Sequence, residues 1–410
     1  MNATTASVAP TTQAPVLLFA LATGVIVQGL YVAQPLVGVI AASMGLPAAV
    51  VSLVATLALL GYALGLFLLV PLCDLVENRR LVLATLAINA LALLVAALPV
   101  SAPTFLAASL LVGFSATVIQ MLIPLAAAMT AEAQRGRVIG NITSGMMLGI
   151  MLSRPLASVI AGYLGWHASY AVLAAAIVVL SLALARSMPS LPPRQRMSYP
   201  ALLSSLAALW RAEPLLRERA LSVALCFGAF SAFWGMVALR LAAAPFGLHA
   251  NGIALFALAG VSGAISAPLA GRLGDAGKAR FATFAAHVCV VLATLLAWLG
   301  GDARLFASST PALATLVIAA ILLDAGTIGD LTLGRREINL LQPEARGRIN
   351  GLYTGVFFVG GAAGSALAGL AWARAGWNGT CLAALGFGLA ALVSGLRRRV
   401  PSPRIAVCES

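Results

Sequence analysis

The chain has 410 residues, of which 61% are hydrophobic and only 9% are charged, and its mean hydropathy is +1.01. Soluble domains carry roughly 25% charged residues, so this composition excludes a soluble protein and indicates a polytopic membrane protein. The net charge of +13 would favour nucleic-acid binding in a soluble chain. Here, arginines in loops between apolar segments explain it, and we expect no nucleic-acid partner.

Twelve apolar segments of about the 20 residues that a spanning helix needs follow one another along the chain. Their approximate bounds are 15–40, 48–70, 81–99, 103–128, 138–162, 167–185, 219–243, 250–271, 281–300, 310–334, 348–371 and 379–396. Glycine, proline or charged residues separate them. No basic residue precedes the first segment, which argues against a cleaved secretory signal.

The positions of the basic residues predict the orientation. With both termini in the cytoplasm, all but four of the 25 basic residues fall in the even-numbered loops or in the C-terminal tail. The four exceptions are Arg154, Arg240, Arg304 and Arg374. Cytoplasmic loops of membrane proteins are enriched in lysine and arginine, so we predict that both termini are cytoplasmic.

The longest polar interval, Arg186 to Arg219, separates six segments from six. We predict an N-terminal six-helix bundle at 1–186, a cytoplasmic linker at 187–218, a C-terminal six-helix bundle at 219–396 and a cytoplasmic tail at 397–410. Within the linker, Tyr199 to Trp210 has an apolar face. This stretch is either an interfacial amphipathic helix or a tether with some helical structure.

The two halves repeat each other. Arg135-Gly136-Arg137 recurs as Arg346-Gly347-Arg348, and Gly165-Trp166 recurs as Gly376-Trp377, both at an offset of 211 residues. Such repeats in a membrane protein favour two pseudo-symmetric bundles around a site near the midplane. The predicted fold is therefore an all-α integral membrane protein of twelve transmembrane helices.

A short charged run, Asp74-Leu75-Val76-Glu77-Asn78-Arg79-Arg80, lies between the second and third segments, and Asp275 to Arg280 is its weaker copy. With the six-plus-six arrangement and the long central loop, this run resembles the loop motif of the major facilitator superfamily. Gly149 to Pro155, Gln342 to Arg348 and Gly360 to Ser365 are similar to the bacterial arabinose-efflux-permease-like branch, which includes drug–proton antiporters.

The resemblance implies that Asp74 latches the cytoplasmic ends of the two bundles when the transporter faces outward. A carboxylate beside a helix N-terminus is stabilised by the helix dipole and by nearby arginines. The alternative is that these charges only set the topology and anchor a tight turn. The candidate gating residues are Asp74, Arg79, Arg80, Arg135, Arg137, Asp275, Arg280, Arg346 and Arg348.

Polar side chains in the apolar segments are candidate substrate ligands. Gln28, Tyr31 and Gln34 recur every third residue, which predicts a polar stripe on one face of the first helix. Gln120 and Trp234, in the fourth and seventh segments, are further candidates. The alternative is that these groups are hydrogen-bonded to neighbouring helices.

Arg154 is the one basic residue well inside a segment. It follows Arg137 by 17 residues, or about 25 Å along a helix, which places it in the outer third of the membrane. A charge there is costly unless it faces a cavity or a partner. Arg154 therefore either contacts an anionic substrate or acts as a coupling switch, or it snorkels to the outer interface.

Asp324 is the only acid near the middle of a segment, and such a carboxyl group can take up and release protons. We predict that Asp324 and Asp330 couple transport to protons. The alternative is a permanent ion pair between Asp324 and an arginine. Asp330 is expected to form a charge network with Arg335, Arg336 and Glu337, and His287 is more typical of a packed histidine than of a proton carrier.

The leading functional hypothesis is a monomeric secondary transporter of the bacterial inner membrane. It would export small organic molecules such as drugs, sugars or metabolites in exchange for protons, with the lipid bilayer as its surroundings and without a cofactor or a metal. Uptake or facilitated diffusion is the alternative. A remote alternative is an intramembrane protease, because Gly260-Val261-Ser262-Gly263 matches a rhomboid-type motif. The sequence contains no phosphate-binding loop, which argues against an ATP-driven pump.

Overall fold

The computed structural model describes residues 16–47, 50–190, 192, 198–302, 305–306, 308–342 and 345–397, and these residues are mainly helical. The first half consists of α1 (Val16–Tyr31), α2 (Val37–Met44), α3 (Leu53–Leu68), α4 (Asn78–Ala97), α5 (Ala102–Ala116), α6 (Ile119–Ala128), α7 (Arg135–Leu164) and α8 (Trp166–Ser187). After the linker helix α9 (Tyr199–Ala212), the second half consists of α10 (Pro214–Ala242), α11 (Ala250–Ala257), α12 (Ser262–Asp275), α13 (Ala279–Gly301), α14 (Ser309–Ile338) and α15 (Arg346–Leu396). Helices dominate because the bilayer interior offers no water to satisfy backbone N–H and C=O groups.

The helices account for all twelve predicted crossings. In the described part of the chain, ten helical segments are long and apolar enough to cross a membrane. One of them, α15, has 51 residues and corresponds to two predicted segments, because its backbone is non-helical at Ala375 and Gly376, where φ of Gly376 is +57°. The shorter α1, followed by α2, accounts for the first segment. The all-α membrane fold is confirmed.

Two predicted segment bounds differ from the structure, and proline explains both. The first helix ends at Tyr31, and a turn containing Pro35 follows, because proline lacks an N–H and disfavours helical backbone before it. Gln34 therefore lies in a turn and does not extend a continuous helical stripe. The seventh crossing begins at Pro214 instead of residue 219, since proline is favoured at the first helical position. Arg219 is consequently a buried helix residue.

Pairs of glycines bring two helices of each half into backbone contact. Gly149 of α7 packs on the backbone of Gly24 in α1, and Gly364 of α15 packs on Gly228 in α10. Each pair closes a helix contact inside one half, as small residues do in membrane bundles.

Gly149→Ala is expected to lower the melting temperature of the detergent-solubilised protein by several degrees. The new Cβ would overlap the carbonyl oxygen of Gly24, and a backbone overlap is not relieved by a rotamer change. Such overpacking costs typically ~1–3 kcal/mol. Gly140→Ala in the same helix is the control, because open space surrounds a Cβ there. Equal melting temperatures for the two variants would contradict the proposed contact.

The two halves touch at the helix ends away from the arginine-rich loops, a region that we call the opposite side. Thr56 Oγ1 of α3 donates a hydrogen bond of 2.8 Å to Ser365 Oγ of α15. A Cβ on Gly162 would lie 2.9 Å from Ala250 Cβ, so α7 and α11 are also closely packed there. The ends that carry the arginine-rich loops are called the arginine-rich side below.

The linker helix α9 contacts both halves on the arginine-rich side. Its apolar face is buried through Leu202, Leu206 and Leu209. Tyr199 Oη donates to the carbonyl oxygen of Leu68 in the first half at 2.8 Å. In turn, Ser205 Oγ accepts a hydrogen bond of 3.1 Å from Arg348 Nη1 of the second half. The apolar face of this helix therefore covers protein.

Candidate functional site

Two charged side chains, one from each half, meet in the interior of the molecule. Arg154 of α7 is 4% exposed and Asp324 of α14 is 3% exposed. Charges at membrane depth are costly, and they persist where they pair or line a cavity. Because the two residues belong to different halves, any movement of one half against the other changes their separation.

Aromatic rings and a glutamine hold the guanidinium of Arg154. Arg154 Nε donates to Gln34 Oε1 at 2.8 Å. The guanidinium carbon lies 4.3 Å from the ring centroid of Trp234, 5.2 Å from that of Tyr31 and 5.4 Å from that of Phe230. A cation over aromatic faces is attracted to their π electrons, more strongly when water is excluded. The side chain is thus directed inward and does not snorkel to the outer interface.

Trp234 connects Arg154 to Asp324. Its indole Nε1 donates to Asp324 Oδ1 at 3.2 Å while its ring face stacks under the guanidinium. Among the residues that the structure describes, Asp324 Oδ2 and Arg154 Nη2 have no hydrogen-bond partner. A buried polar atom of this kind is uncommon, and it is available to a proton or a ligand.

A glycine separates the two charges. A Cβ on Gly260 would lie 3.0 Å from Asp324 Oδ2 and 3.6 Å from Arg154 Nη1. Gly260 lies in a short 3₁₀ turn, Leu258–Val261, that interrupts the eighth crossing between α11 and α12. Interrupted helices in transporters place irregular backbone at the site, and this one leaves room for both charged groups.

The charged pair lines a cavity of about 130 Å³ between the halves. Most of its wall is aromatic or aliphatic, including four residues of α7: Met146, Met147, Ile150 and Met151. A second cavity of about 350 Å³ continues toward the arginine-rich side and is lined by Asp74, Arg348 and the α9 residues Leu202 and Leu206.

Gln120 and Thr354 line both cavities, so the second cavity forms a vestibule to the first. Gln120 also donates to Tyr62 Oη at 3.1 Å. The charged pair is thus approached from the arginine-rich side, while the halves pack together on the opposite side.

Five of the six predicted substrate ligands line this cavity or contact its residues. Tyr31, Gln120 and Arg154 line it, and Gln34 and Trp234 hydrogen-bond to its two charged groups. Gln28 does not belong to this set. It donates to the carbonyl oxygen of Gly24 at 3.2 Å and lines a separate groove between α1 and α7.

The predicted gating residues of the first half have their contacts within that half. Asp74 lines the vestibule and forms no ion pair with the residues described. Arg79 donates to the carbonyl oxygen of Ala185, Arg80 pairs with Glu77 at 2.8 Å, and Arg135 donates to the carbonyl oxygen of Thr130. Arg137 is exposed.

The gating residues of the second half follow the same pattern. Asp275 pairs with Arg336 at 3.0 Å, and Arg346 donates to the carbonyl oxygen of Asn339. Arg280 is exposed, and Arg348 contacts the linker helix. No latch between the halves is formed by these residues in the described structure, which agrees with a vestibule that is open on this side.

Asp330 lies in a second buried cluster, inside the second half. Arg219 Nη1 lies 3.4 Å from Asp330 Oδ1, and Arg219 Nε lies 3.4 Å from Glu337 Oε2. Ser222 Oγ donates to Asp330 Oδ2 at 2.9 Å, and His287 Nε2 lies 3.5 Å from Asp330 Oδ1. The expected network of Asp330 with Arg335 and Arg336 is wrong, because its cation is Arg219 of α10 and Arg336 pairs with Asp275.

Sequence reasoning does not single out Arg219, Gly260, Phe230 or Tyr62. It places Arg219 at the boundary between the linker and the seventh segment, where the apolar run of α10 starts immediately after it. The acidic partners of Arg219 lie more than a hundred residues later, and nothing in the spacing identifies which helices pack together. Gly260 stands out in the sequence only as part of a protease-like motif, and its proximity to two charges depends on the 3₁₀ turn.

Known proteins resemble this chain over most of its length. The sequence model of the Major Facilitator Superfamily matches residues 19–333. The uncharacterized transporter YgaY of Escherichia coli O157:H7 is 36% identical over 368 residues, which cover 90% of this chain and 91% of YgaY.

Solved structures share the fold at low sequence identity. The nucleoside transporter NupG superposes with a TM-score of 0.76 at 14% identity, covering 93% of this chain and 98% of NupG. A bacterial homologue of the human lysosomal transporter Spinster, solved in an inward-facing and unoccupied conformation, has a TM-score of 0.69 at 16% identity and covers 93% of both chains.

These matches decide between the functional classes. The family and the relatives are transporters, so the protease interpretation of Gly260 to Gly263 is wrong, and the chain is a multi-pass membrane transporter and not an enzyme. The family match extends over most of both halves, and the buried charged pair joins those halves. The chain belongs to the major facilitator superfamily.

Proposed function

We propose that this transporter exports small organic molecules across the bacterial inner membrane in exchange for protons, as a monomer with both termini in the cytoplasm. One observation carries the proposal. Arg154 of the first half and Asp324 of the second half face one cavity, share Trp234 as a partner and are approached through a vestibule from the arginine-rich side. By the distribution of its arginines, that side is cytoplasmic.

Asp324 is the proposed coupling group. Its carboxylate compensates the charge of Arg154 across the interface, and Coulomb attraction is strong where water is excluded. Protonation of Asp324 removes that attraction. It also weakens the hydrogen bond that Trp234 Nε1 donates to this carboxylate. Protonation of Asp324 therefore changes the free-energy difference between states in which the halves are closer or farther apart, as coupling requires. Asp330 is the second proposed coupling residue.

The walls of the cavity favour a substrate with a flat or apolar body and one polar group. Tyr31, Trp234 and the methionines of α7 offer apolar contact, while Gln34, Gln120 and Arg154 offer hydrogen bonds. Pockets of this composition use the apolar wall for affinity and the few polar groups for orientation.

The gating residues act in the outward-facing state, in which the vestibule is closed. The open vestibule and the packed opposite side support an inward-facing conformation for this chain, the conformation in which the Spinster homologue was solved. When the vestibule closes, Asp74 of the first half would reach the arginines at the start of α15, Arg346 and Arg348. The charges around Asp275 and Arg280 would form the symmetric contact.

Transport by everted membrane vesicles tests the proposal. A growth-inhibition screen of small organic compounds in an efflux-deficient host first identifies a compound that the protein excludes. Everted vesicles with an acidic lumen are then expected to accumulate that compound and to lose lumenal protons at the same time. Vesicles with the empty vector are the control, and lumenal pH is read from a trapped dye.

The same assay separates the alternatives. A proton-coupled uptake system would move the compound out of the acidic lumen together with protons. Facilitated diffusion would equilibrate the compound without changing lumenal pH. Either outcome contradicts proton-coupled export.

A further inference from the structure

The buried cluster around His287 lies outside the substrate cavity and borders a pocket of its own. His287 of α13 is 1% exposed, and the ligand-type atoms of Cys226, His287 and Asp330 lie within 4.8 Å of one another. None of the three lines the cavity that contains Arg154 and Asp324. The cluster belongs to the second half alone, built from α10, α13 and α14.

Hydrogen bonds assign the two ring nitrogens of His287. Ser222 Oγ donates to Asp330 Oδ2 at 2.9 Å, so its oxygen is an acceptor for His287 Nε2–H, which lies 2.9 Å away. The proton of the neutral ring is then on Nε2, and Nδ1 carries a free lone pair. In the part of the chain that the structure describes, Nδ1 has no hydrogen-bond partner.

Nδ1 points toward a pocket that opens on the arginine-rich side. This pocket of about 540 Å³ lies between the start of α13 and the end of α15, and His287 and Gly395 are part of its wall. A Cβ on Gly395 would lie 2.7 Å from His287 Nδ1, so a side chain at this position would cover the buried nitrogen on its pocket side. Lys278 and Arg280 form the rim.

The surrounding charges favour a proton as the ligand. The groups that face His287 are Ser222, Cys226 and Arg219 from α10, Asp330 from α14 and Thr283 from α13, with Lys278 and Arg280 at the rim. A divalent cation bound to Asp330 would meet the guanidinium of Arg219, which lies 3.4 Å from the same carboxylate. A proton on Nδ1 adds less charge, and the carboxylate of Asp330 stabilises the resulting imidazolium through Ser222.

We propose that His287, Ser222 and Asp330 form a second proton-binding site, which takes protons from the arginine-rich side through the Gly395 pocket and not through the substrate cavity. A proton binds to Nδ1. The imidazolium donates from Nε2 to Ser222 Oγ, and the Ser222 hydroxyl donates to the carboxylate of Asp330, which stabilises the added charge. Loss of the Nδ1 proton to the pocket reverses the step. The role of the site in transport rests on the proton coupling proposed above.

Exchange of the carbon-bound ring hydrogen of histidine for deuterium tests the site without any substrate. This slow reaction depends on ring protonation and on solvent access, and mass spectrometry resolves it for each of the three histidines of the chain. For the full-length protein in detergent, we expect the exchange rate of His287 to depend on pH, because the proposed site binds a proton at Nδ1. A rate for His287 that does not change with pH would overturn the proposal.

Two glycines of α15 provide a matched pair of variants. Gly395→Ala places a methyl group against Nδ1 and is expected to slow exchange at His287 at least fivefold. Gly386→Ala, where a Cβ meets open space, is expected to leave the rate unchanged. His167, which is half-buried and stacked on Trp166, reports whether either variant has lost its fold. Equal His287 exchange rates in both variants would exclude the pocket as the route. Ser222→Ala removes the hydroxyl between His287 and Asp330 without adding bulk, and it is expected to change the pH dependence of His287 exchange. An unchanged pH dependence would contradict the role of Ser222.

A transport measurement connects the site to coupling. His287→Gln is expected to change the pH dependence of gradient-driven accumulation and to keep substrate counterflow, and an unchanged pH profile would contradict the coupling role. Failure of the two proposals is distinguishable. If wild-type vesicles show no proton-driven transport while His287 exchange depends on pH and on Gly395, proton-coupled export fails and the proton site stands.

Discussion

Asp324→Asn is expected to abolish accumulation driven by a pH gradient while substrate counterflow stays within about threefold of wild type. Asparagine keeps the size of aspartate, and its Oδ1 still accepts the hydrogen bond from Trp234 Nε1. It cannot gain or lose a proton, so the cavity keeps its shape and loses the titration that drives the cycle. Counterflow exchanges substrate for substrate and requires no proton, so the two assays separate binding from coupling.

The control for this variant is Glu132→Gln, which neutralises an exposed carboxylate in the loop before α7. It is expected to retain both activities. Gradient-driven accumulation by Asp324→Asn at the wild-type rate would exclude Asp324 as the coupling group. Loss of counterflow together with accumulation would instead mean that Asp324 binds substrate directly.

The fold was predictable because membrane insertion leaves few choices. Length and hydropathy define each crossing, and the bilayer requires each of them to be helical. The breaks in the helices within single crossings were harder to predict from the sequence. Pro35 could have been recognised as the end of the first helix, whereas the 3₁₀ turn at Leu258–Val261 has no proline and depends on how α12 packs against α14 near Asp324.

The candidate site was predictable in its charges and not in its contacts. Arg154 and Asp324 were identified because a charge within an apolar run is costly and needs a reason. That they share Trp234 was not visible, since the three residues come from α7, α10 and α14 and sequence spacing says nothing about which helices are neighbours. For the same reason, the partner of Asp330 was not predicted. In the sequence, Arg219 cannot be told apart from the neighbouring arginines of the linker.

Arg154→Met is expected to lower the free energy of unfolding by about 3 kcal/mol, the cost of removing one partner of a buried charge pair. Methionine fills a similar volume and keeps apolar contact with Trp234, Tyr31 and Phe230, so most of the loss would come from the uncompensated carboxylate of Asp324. Denaturant titration in detergent measures the loss. Arg240→Met is the control, since Arg240 bonds to backbone carbonyls near the opposite side and is less buried.

The double variant Arg154→Met/Asp324→Asn distinguishes a pair kept for stability from one kept for transport. Replacing both charges of a buried pair by uncharged groups is often neutral or stabilising. The double variant should therefore recover most of the stability that Arg154→Met loses, and a double-mutant cycle measures that coupling energy. Gradient-driven transport should stay absent, because neither the proton acceptor nor its cation remains. If the stability losses of the two single variants simply add, Arg154 and Asp324 do not interact across the halves, and the coupling mechanism built on them fails.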